Sequence, residues 1–219
     1  MKNPFTLKLQ AGLLLAGELI LLLTSALWDD LDPSTKWPAW LYIILFAGGG
    51  YALARNRTWL IAYLLTSATA LLLGFFERSA PFLVISTLCF SVAYLLLFHV
   101  VIQHCFFHHE VAATDRILGG IAGYLLIGFF WNSQSNWAQI LNPEAFFNQL
   151  TEAAATEPEM LYYSFVTLTS LGYGDIVPTT AVARLIAIFN CLSGVLYLAI
   201  FISALIGGLR KQAPPAGRE

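Results

Sequence analysis

The sequence predicts an all-α membrane protein with six transmembrane helices and a re-entrant helix before the last of them. Three observations support this prediction. Hydrophobic residues make up 58% of the chain and charged residues 11%, with a mean hydropathy of +0.71, whereas soluble domains carry about 25% charged residues. The chain also contains six apolar runs of membrane-spanning or nearly membrane-spanning length. Finally, a shorter apolar run starts with a helix-capping pattern and ends at a glycine-bearing stretch.

The six spans follow from the lengths of the apolar runs, because a transmembrane helix needs about 20 mostly apolar residues. The first run is too long for the core of a signal peptide and is followed by acidic residues instead of a small-residue cleavage site. We therefore interpret it as a span. The predicted spans are Leu7–Trp28, Pro38–Ala54, Thr58–Phe76, Ala80–Phe107, Val111–Trp131 and Ala183–Leu209.

The basic residues of the connections predict that both termini face the cytoplasm. With this orientation, eight of the 11 Lys and Arg residues lie in inside segments and three lie outside. We therefore expect a multi-pass protein of the plasma or inner membrane. The spans divide the chain into a four-helix peripheral domain over residues 1–110, a second domain over 111–209 and a short cytoplasmic tail over 210–219.

The residues before the last span predict a helix too short to cross a bilayer. Thr156, Pro158 and Glu159 form a capping-box start with proline in the first turn, and the helix can continue to about Thr169. The stretch "SLGYGD" follows. Non-helical backbone at membrane depth is tolerated only where it is buried in protein or lines an aqueous path, so this pattern predicts a re-entrant loop.

The stretch "TLTSLGYGD" resembles the signature sequence of potassium channels. Ser170–Gly174 match the family's threonine-valine-glycine-tyrosine-glycine filter, and Asp175 matches the acid that follows it. Tyr162 and Tyr163 lie where many members carry a pair of pore-helix aromatics, and Gly194 lies near the glycine often treated as a hinge of the inner helix. The resemblance in motif covers about residues 111–209, which it implies to be the pore domain.

The resemblance implies a homotetrameric channel selective for potassium, embedded in the lipid bilayer, with K+ as the permeant ion and no other cofactor. It implies neither catalysis nor a nucleic-acid partner, and a soluble regulatory partner is not indicated. The side chains of Tyr162, Tyr163 and Asp175 would support the filter. The residues that would bind ions are Ser170, Leu171, Gly172, Tyr173 and Gly174, with K+ held at the first four.

The chemistry of the motif supports the same interpretation. Dehydrating K+ requires rings of oxygen atoms, which backbone carbonyls of four symmetric chains can supply. Successive carbonyls face one side only if φ alternates in sign, and Gly172 and Gly174 permit that alternation. Two residues depart from the family pattern. Ser170 replaces threonine and keeps the hydroxyl, while Leu171 replaces valine and adds one methylene behind the filter.

The gating stimulus is less defined, because the fourth predicted span contains no Arg or Lys. We therefore expect weak voltage dependence. Histidine titrates near physiological pH, which makes an intracellular proton sensor conceivable at His99, His104, His108 and His109. Gly194 is either a hinge or a helix-packing contact. Glu18, at the centre of the first span, is either a neutral hydrogen-bonded carboxyl or a gating or lipid-sensing site.

Four alternatives stay open at this point. The glycine stretch could be a tight turn between helices, and the protein could be a non-selective cation channel or a non-conducting modulatory subunit. The segment "HCFFHHE" also offers potential metal ligands for a membrane enzyme. No second cluster of acids or histidines lies in the other spans to complete such a site, so we expect no enzyme.

Overall fold

The computed structural model describes residues 12–24, 57–76, 79–103 and 113–212, and these fold into helices and one small sheet. The predicted span Pro38–Ala54 lies outside them. Helices lie at the positions of the other five predicted spans and of the re-entrant helix. They are α1 (Gly12–Thr24), α2 (Arg57–Phe76), α3 (Ala80–Ile102), α4 (Ala113–Leu141), α5 (Glu157–Leu168) and α6 (Ala181–Gln212).

Two of the described helices are long and apolar enough, by length and composition, to cross a membrane. They cover Ala80–Ile102 and Ala181–Ile206. Shorter apolar helices cover Gly12–Thr24 and Arg57–Leu73. Described helices therefore lie at the positions of five predicted spans, and two of these helices are long and apolar enough to cross a membrane.

Helix α4 is longer than the predicted span, which ended at Trp131. It continues for ten more residues to Leu141, through a polar segment that the prediction treated as a loop. The polar side chains of this segment find partners on α3. The Ser91 hydroxyl donates to the Ser133 hydroxyl at 3.0 Å, and the Gln134 amide donates to Ser91 at 2.7 Å. Because these groups are satisfied, the helix is not interrupted, and it ends two residues before a proline.

The structure is mostly helical, as predicted, and it adds one small three-stranded antiparallel sheet that the sequence did not predict. Its strands are β1 (Phe146–Asn148), β2 (Ala153–Ala154) and β3 (Ile176–Pro178). The strand order is β2-β1-β3, so β1 is central. Strand β3 begins directly after Asp175, so the chain enters the sheet immediately after the glycine stretch.

Two apolar clusters hold the helices together. The first joins α1, α2 and α3 to α4 and α5, with the fully buried side chains of Leu97 and Phe129 among its members. The second lies between the end of α4, the sheet, α5 and α6, and includes Phe146 and Met160. The first cluster therefore packs the peripheral helices against α4. The second packs α5 against the end of α4, the sheet and α6.

Candidate functional site

The N-terminus of α5 is fixed by the capping pattern that the sequence predicted. Thr156 is the N-cap residue, a proline occupies the first turn, and the Thr156 backbone N–H donates to Glu159 Oε2 at 2.6 Å. Such a bond satisfies one of the N–H groups that a helix start leaves without an internal partner. The helix then runs to Leu168, one residue short of the predicted end.

The C-terminus of α5 ends in a Schellman motif that leads directly into the glycine stretch. The Leu171 N–H donates to the Val166 carbonyl at 3.0 Å, and the Ser170 N–H donates to the Thr167 carbonyl at 3.0 Å. Between these bonds Ser170 has a φ of 59°, at the position where helices most often place glycine. The helix end therefore fixes the backbone of the first residue of the stretch.

The backbone alternates in the sign of φ along residues 170–174. Ser170, Gly172 and Gly174 have φ values of 59°, 55° and 81°, and Leu171 and Tyr173 between them do not have positive φ. Alternation in the sign of φ allows successive peptide groups to turn the same way, which is what a row of carbonyls facing one side of the strand requires. Glycine adopts positive φ without steric cost, which accounts for the two glycines.

The carbonyl oxygens of this stretch have no hydrogen-bond donors. In the part of the chain that the structure describes, no backbone or side-chain group donates to the carbonyls of residues 170–173. The side chains beside them are exposed as well, with Leu171 at 57% and Tyr173 at 67%. Residues 170–173 therefore present a row of free acceptors flanked by uncovered apolar surface.

The outer end of the stretch is held at Asp175. The Tyr162 hydroxyl donates to Asp175 Oδ2 at 2.8 Å, and the backbone N–H of Gln149 donates to the Asp175 carbonyl at 2.8 Å. Desolvation, followed by this hydrogen bond, raises the pKa of Tyr162 to about 12, so the hydroxyl stays a donor. Tyr163 differs from its neighbour, because it is buried and packs edge-on against Phe146 with ring centroids 5.0 Å apart.

Helix α6 contacts the back of α5 through specific hydrogen bonds. The buried Asn190 amide donates to the Ser164 carbonyl at 3.0 Å. The Trp131 indole of α4 donates to the Ser193 hydroxyl at 2.8 Å. At the inner end of the stretch, the Ser170 hydroxyl lies 3.4 Å from Cys191 Sγ. These bonds fix α5 between α4 and α6.

Gly194 lies at the closest approach of α6 to the end of α5. A Cβ placed there would lie 3.0 Å from the Leu168 carbonyl carbon and closer still to its oxygen. This approach accounts for the glycine as a packing residue, which is one of the two interpretations that the sequence left open. Whether Gly194 also serves as a hinge stays a prediction.

Three further glycines were not identified from the sequence as contact residues. Added Cβ atoms at Gly120, Gly123 and Gly128 of α4 would overlap the side chains of Phe201, Tyr197 and Phe165, in that order. Aromatic rings of α6 and α5 therefore rest on the backbone of α4. The spacing of small residues on one helix is the signal that could have identified this packing face.

The gating candidates lie on helices other than α5. Glu18 of α1 is fully buried, and neither of its carboxyl oxygens has a hydrogen-bond partner among the residues that the structure describes. The exposed imidazole of His99, in the last turn of α3, contacts the Trp59 ring at a centroid distance of 5.3 Å. The other three histidines, at positions 104, 108 and 109, lie outside the described residues.

Comparison with known proteins finds a family model and several relatives that are similar to the part of the chain containing this site. Residues 117–211, which run from α4 to α6 and include the glycine stretch, match a family model described as "Ion channel". The chain is 28% identical over 95 residues to potassium voltage-gated channel subfamily A member 10 of Mus musculus, covering 43% of this chain and 17% of that protein.

Two further relatives match a similar segment. The chain is 31% identical over 99 residues to the voltage-gated potassium channel regulatory subunit KCNF1 of Rattus norvegicus, covering 45% of this chain and 19% of that protein. It is 26% identical over 99 residues to potassium voltage-gated channel subfamily A member 4 of Homo sapiens, covering 45% and 14%.

The chain spans less than a fifth of the length of these curated relatives. No solved structure matches it. The segment that matches is nevertheless the one that carries the filter-like motif, the capped helix α5 and the apolar helix α6. The resemblance to potassium channels is therefore confirmed for residues 117–211, which match the ion-channel family model and are similar to potassium channel proteins.

Proposed function

We propose that four copies of this chain form a potassium-selective channel in which residues 170–174 of each copy line the ion path. Each subunit would span the membrane six times, with both termini in the cytoplasm, in the plasma or inner membrane. The first four spans would form the peripheral domain, and α4, α5 and α6 the pore domain. K+ is the ion that moves, and the protein performs no catalysis on it.

The row of donor-free carbonyls is the single observation that carries this proposal. A carbonyl without a hydrogen bond costs free energy unless water or a cation replaces the missing donor. Alternation of φ directs successive carbonyls to one side, and rings of such oxygens can substitute for the hydration shell of K+. The hydroxyl of Ser170 adds one more oxygen at the inner end.

The apolar side chains that are exposed in a single copy of the chain support the homotetramer. One chain supplies one strand of carbonyls, so a closed ring requires further copies around an axis. Leu171 and Tyr173 are large and more than half exposed, and exposed apolar surface of this kind marks an interaction site. Neighbouring copies would cover these side chains while their carbonyls face the axis.

Weak voltage dependence is supported by the composition of α3. Steep gating needs several charges per subunit, because one charge moved across the membrane contributes about 2.3 kcal/mol per 100 mV. Helix α3 carries neither Arg nor Lys over its 23 residues. We therefore propose that opening depends on another stimulus.

The direct test is the reversal potential of the purified chain in bilayers with unequal K+ and Na+ on the two sides. A potential near that of K+ supports selectivity, and a potential near zero under bi-ionic conditions favours the alternative of a non-selective cation channel. Gly172→Ala should abolish or scramble the current, since a left-handed non-glycine residue costs about 1–2 kcal/mol in each copy.

Gly12→Ala is the matched control for that substitution. A Cβ at Gly12 meets no atom within 4 Å in the part of the chain that the structure describes, so this variant should keep the wild-type current. Selective K+ current through the Gly172→Ala variant would contradict the assignment of the filter.

A non-conducting modulatory subunit is the second candidate, and one relative favours it. The 31% identical relative from rat is itself described as a regulatory subunit. This candidate predicts that the chain carries no current alone and changes the current of a conducting potassium channel when the two are reconstituted together. Current from the purified chain alone would exclude it.

A further inference from the structure

A part-buried hydrogen-bonded pair links the start of α5 to the central strand of the sheet. The Asn148 side-chain amide donates to Glu159 Oε1 at 2.5 Å. The other carboxyl oxygen, Oε2, accepts the Thr156 backbone N–H at 2.6 Å. Asn148 is only 6% exposed. Both oxygens of Glu159 are thus used, one inside α5 and one across to β1.

The orientation of the Asn148 amide follows from its other contacts. Its Oδ1 accepts the backbone N–H groups of Leu150 and Thr151 at 2.8 and 3.2 Å. Only the carbonyl oxygen of an amide can accept these bonds. The amide nitrogen must therefore face Glu159, and the pair is a donor-to-carboxylate bond, a class stronger than bonds between neutral groups.

The pair is connected to the outer end of the filter through the sheet. Asn148 of β1 is paired with Ile176 of β3, and the next residue, Gln149, donates its backbone N–H to the Asp175 carbonyl. The Schellman motif fixes the inner end of the stretch at Ser170. Residues 170–175 are therefore held at both ends. The outer anchor is attached to α5 directly through Tyr162 and, by way of the sheet, through Asn148 and Glu159.

We propose that Asn148 and Glu159 are positioning residues whose hydrogen bond holds the outer end of the filter and sets how long it conducts. This inference rests on the proposed function of residues 170–174 as the ion path. Neither side chain contacts an ion. When their bond breaks, β1 and β3 can move relative to α5, and the carbonyls near Gly174 lose their common alignment.

The pair offers an experiment in which the two groups are exchanged. In Glu159→Gln, the amide oxygen at position 159 can still accept the Thr156 N–H. The amide NH2 at 159 then faces the NH2 of Asn148, and two donors cannot form a hydrogen bond with each other. In Asn148→Asp two carboxylates face one another. In the double variant, the carboxylate introduced at position 148 accepts a hydrogen bond from the amide NH2 introduced at position 159. The amide oxygen at 159 still accepts from the Thr156 N–H, and the second carboxylate oxygen at 148 still accepts from the N–H groups of Leu150 and Thr151. Each single variant loses a bond, and the double variant regains it.

The readout is the decay of K+ current in bilayers under a constant driving force, together with the K+ to Na+ permeability ratio. Losing a hydrogen bond to a charged group should speed the decay by about tenfold in each single variant. The double variant should return it to within about threefold of wild type. Raising external K+ should slow the decay of the single variants, because a bound ion stabilises the state that binds it.

Glu144→Gln is the control, because Glu144 is an exposed carboxylate two residues before β1. It should leave decay and permeability unchanged. Single variants that assemble and decay like wild type would overturn the role of the pair while leaving the proposed channel intact. Single variants that fail, with no rescue in the double variant, would also overturn it. A wild-type chain that carries no current would instead overturn the proposed function and this inference together.

Discussion

Replacing Gly194 with alanine tests how α6 controls the end of α5. The added Cβ would lie 3.0 Å from both the carbonyl carbon and Cδ1 of Leu168, and nearer still to the carbonyl oxygen. That oxygen also accepts the Tyr124 hydroxyl at 3.3 Å. Leu168 is two residues before Ser170, so a displacement here reaches the inner end of the proposed filter directly.

The magnitude follows from the distances. Carbon atoms in contact prefer separations of about 3.5–4.0 Å, and the carbonyl oxygen would lie closer than either carbon, so the two helices would have to separate by at least about 1 Å. The neighbouring group is a backbone carbonyl, which cannot rotate away as a side chain could. Overpacking of this kind costs about 1–3 kcal/mol, and we expect the upper half of that range in each copy.

The assay compares Gly194→Ala with Gly12→Ala, whose added methyl meets nothing within 4 Å. Thermal unfolding of the purified assembly and K+ flux in liposomes should both fall for Gly194→Ala and stay near wild type for the control. A variant with wild-type thermal stability but altered opening would refute the packing argument and favour the hinge.

Four further predictions follow from single contacts. Ser170→Thr should reduce stability relative to Ser170→Gly, because a β-branched residue is strongly disfavoured at a φ of 59°; equal unfolding temperatures would contradict this. Ser170→Ala should lower unitary conductance while assembly persists, and an unchanged single-channel current would argue against a role for the hydroxyl. Glu18→Met should stabilise the protein by about 1–3 kcal/mol in chemical denaturation, because it removes an unpartnered buried carboxyl; destabilisation would reveal a missing partner. Open probability should change only shallowly with voltage at neutral pH, and a steep sigmoidal rise would show that charges outside α3 move.

The start and end of α5 were predictable because they depend on neighbours in sequence. A capping box involves residues three positions apart, and Thr156 and Glu159 are visible as such in the chain. The positive φ at Gly172 and Gly174 follows from the residue type. The positive φ of Ser170 was not predicted from the sequence. It results from the hydrogen bonds of the Schellman motif, and serine as a residue type does not indicate it.

The sheet and the full length of α4 were not predictable because their stability comes from distant partners. Strands of two or three residues carry no readable alternation, and β1 pairs with β3 across about thirty positions of sequence. The polar end of α4 continues as a helix because Ser133 and Gln134 meet Ser91 on α3. The link from Asn148 to Glu159 depends on both features, so it appears only once the fold is known.

The contacts of α6 have a consequence for the order of events during biosynthesis. The Tyr197 hydroxyl donates to the Gly120 carbonyl, 77 positions away, and Asn190 donates to a carbonyl of α5. Helices α4 and α5 are synthesised before either donor. In the proposed channel, α5 therefore lacks these contacts until α6 has also inserted. Substitutions that weaken α6 contacts should accordingly lower the yield of mature protein before they alter any property of the assembled one.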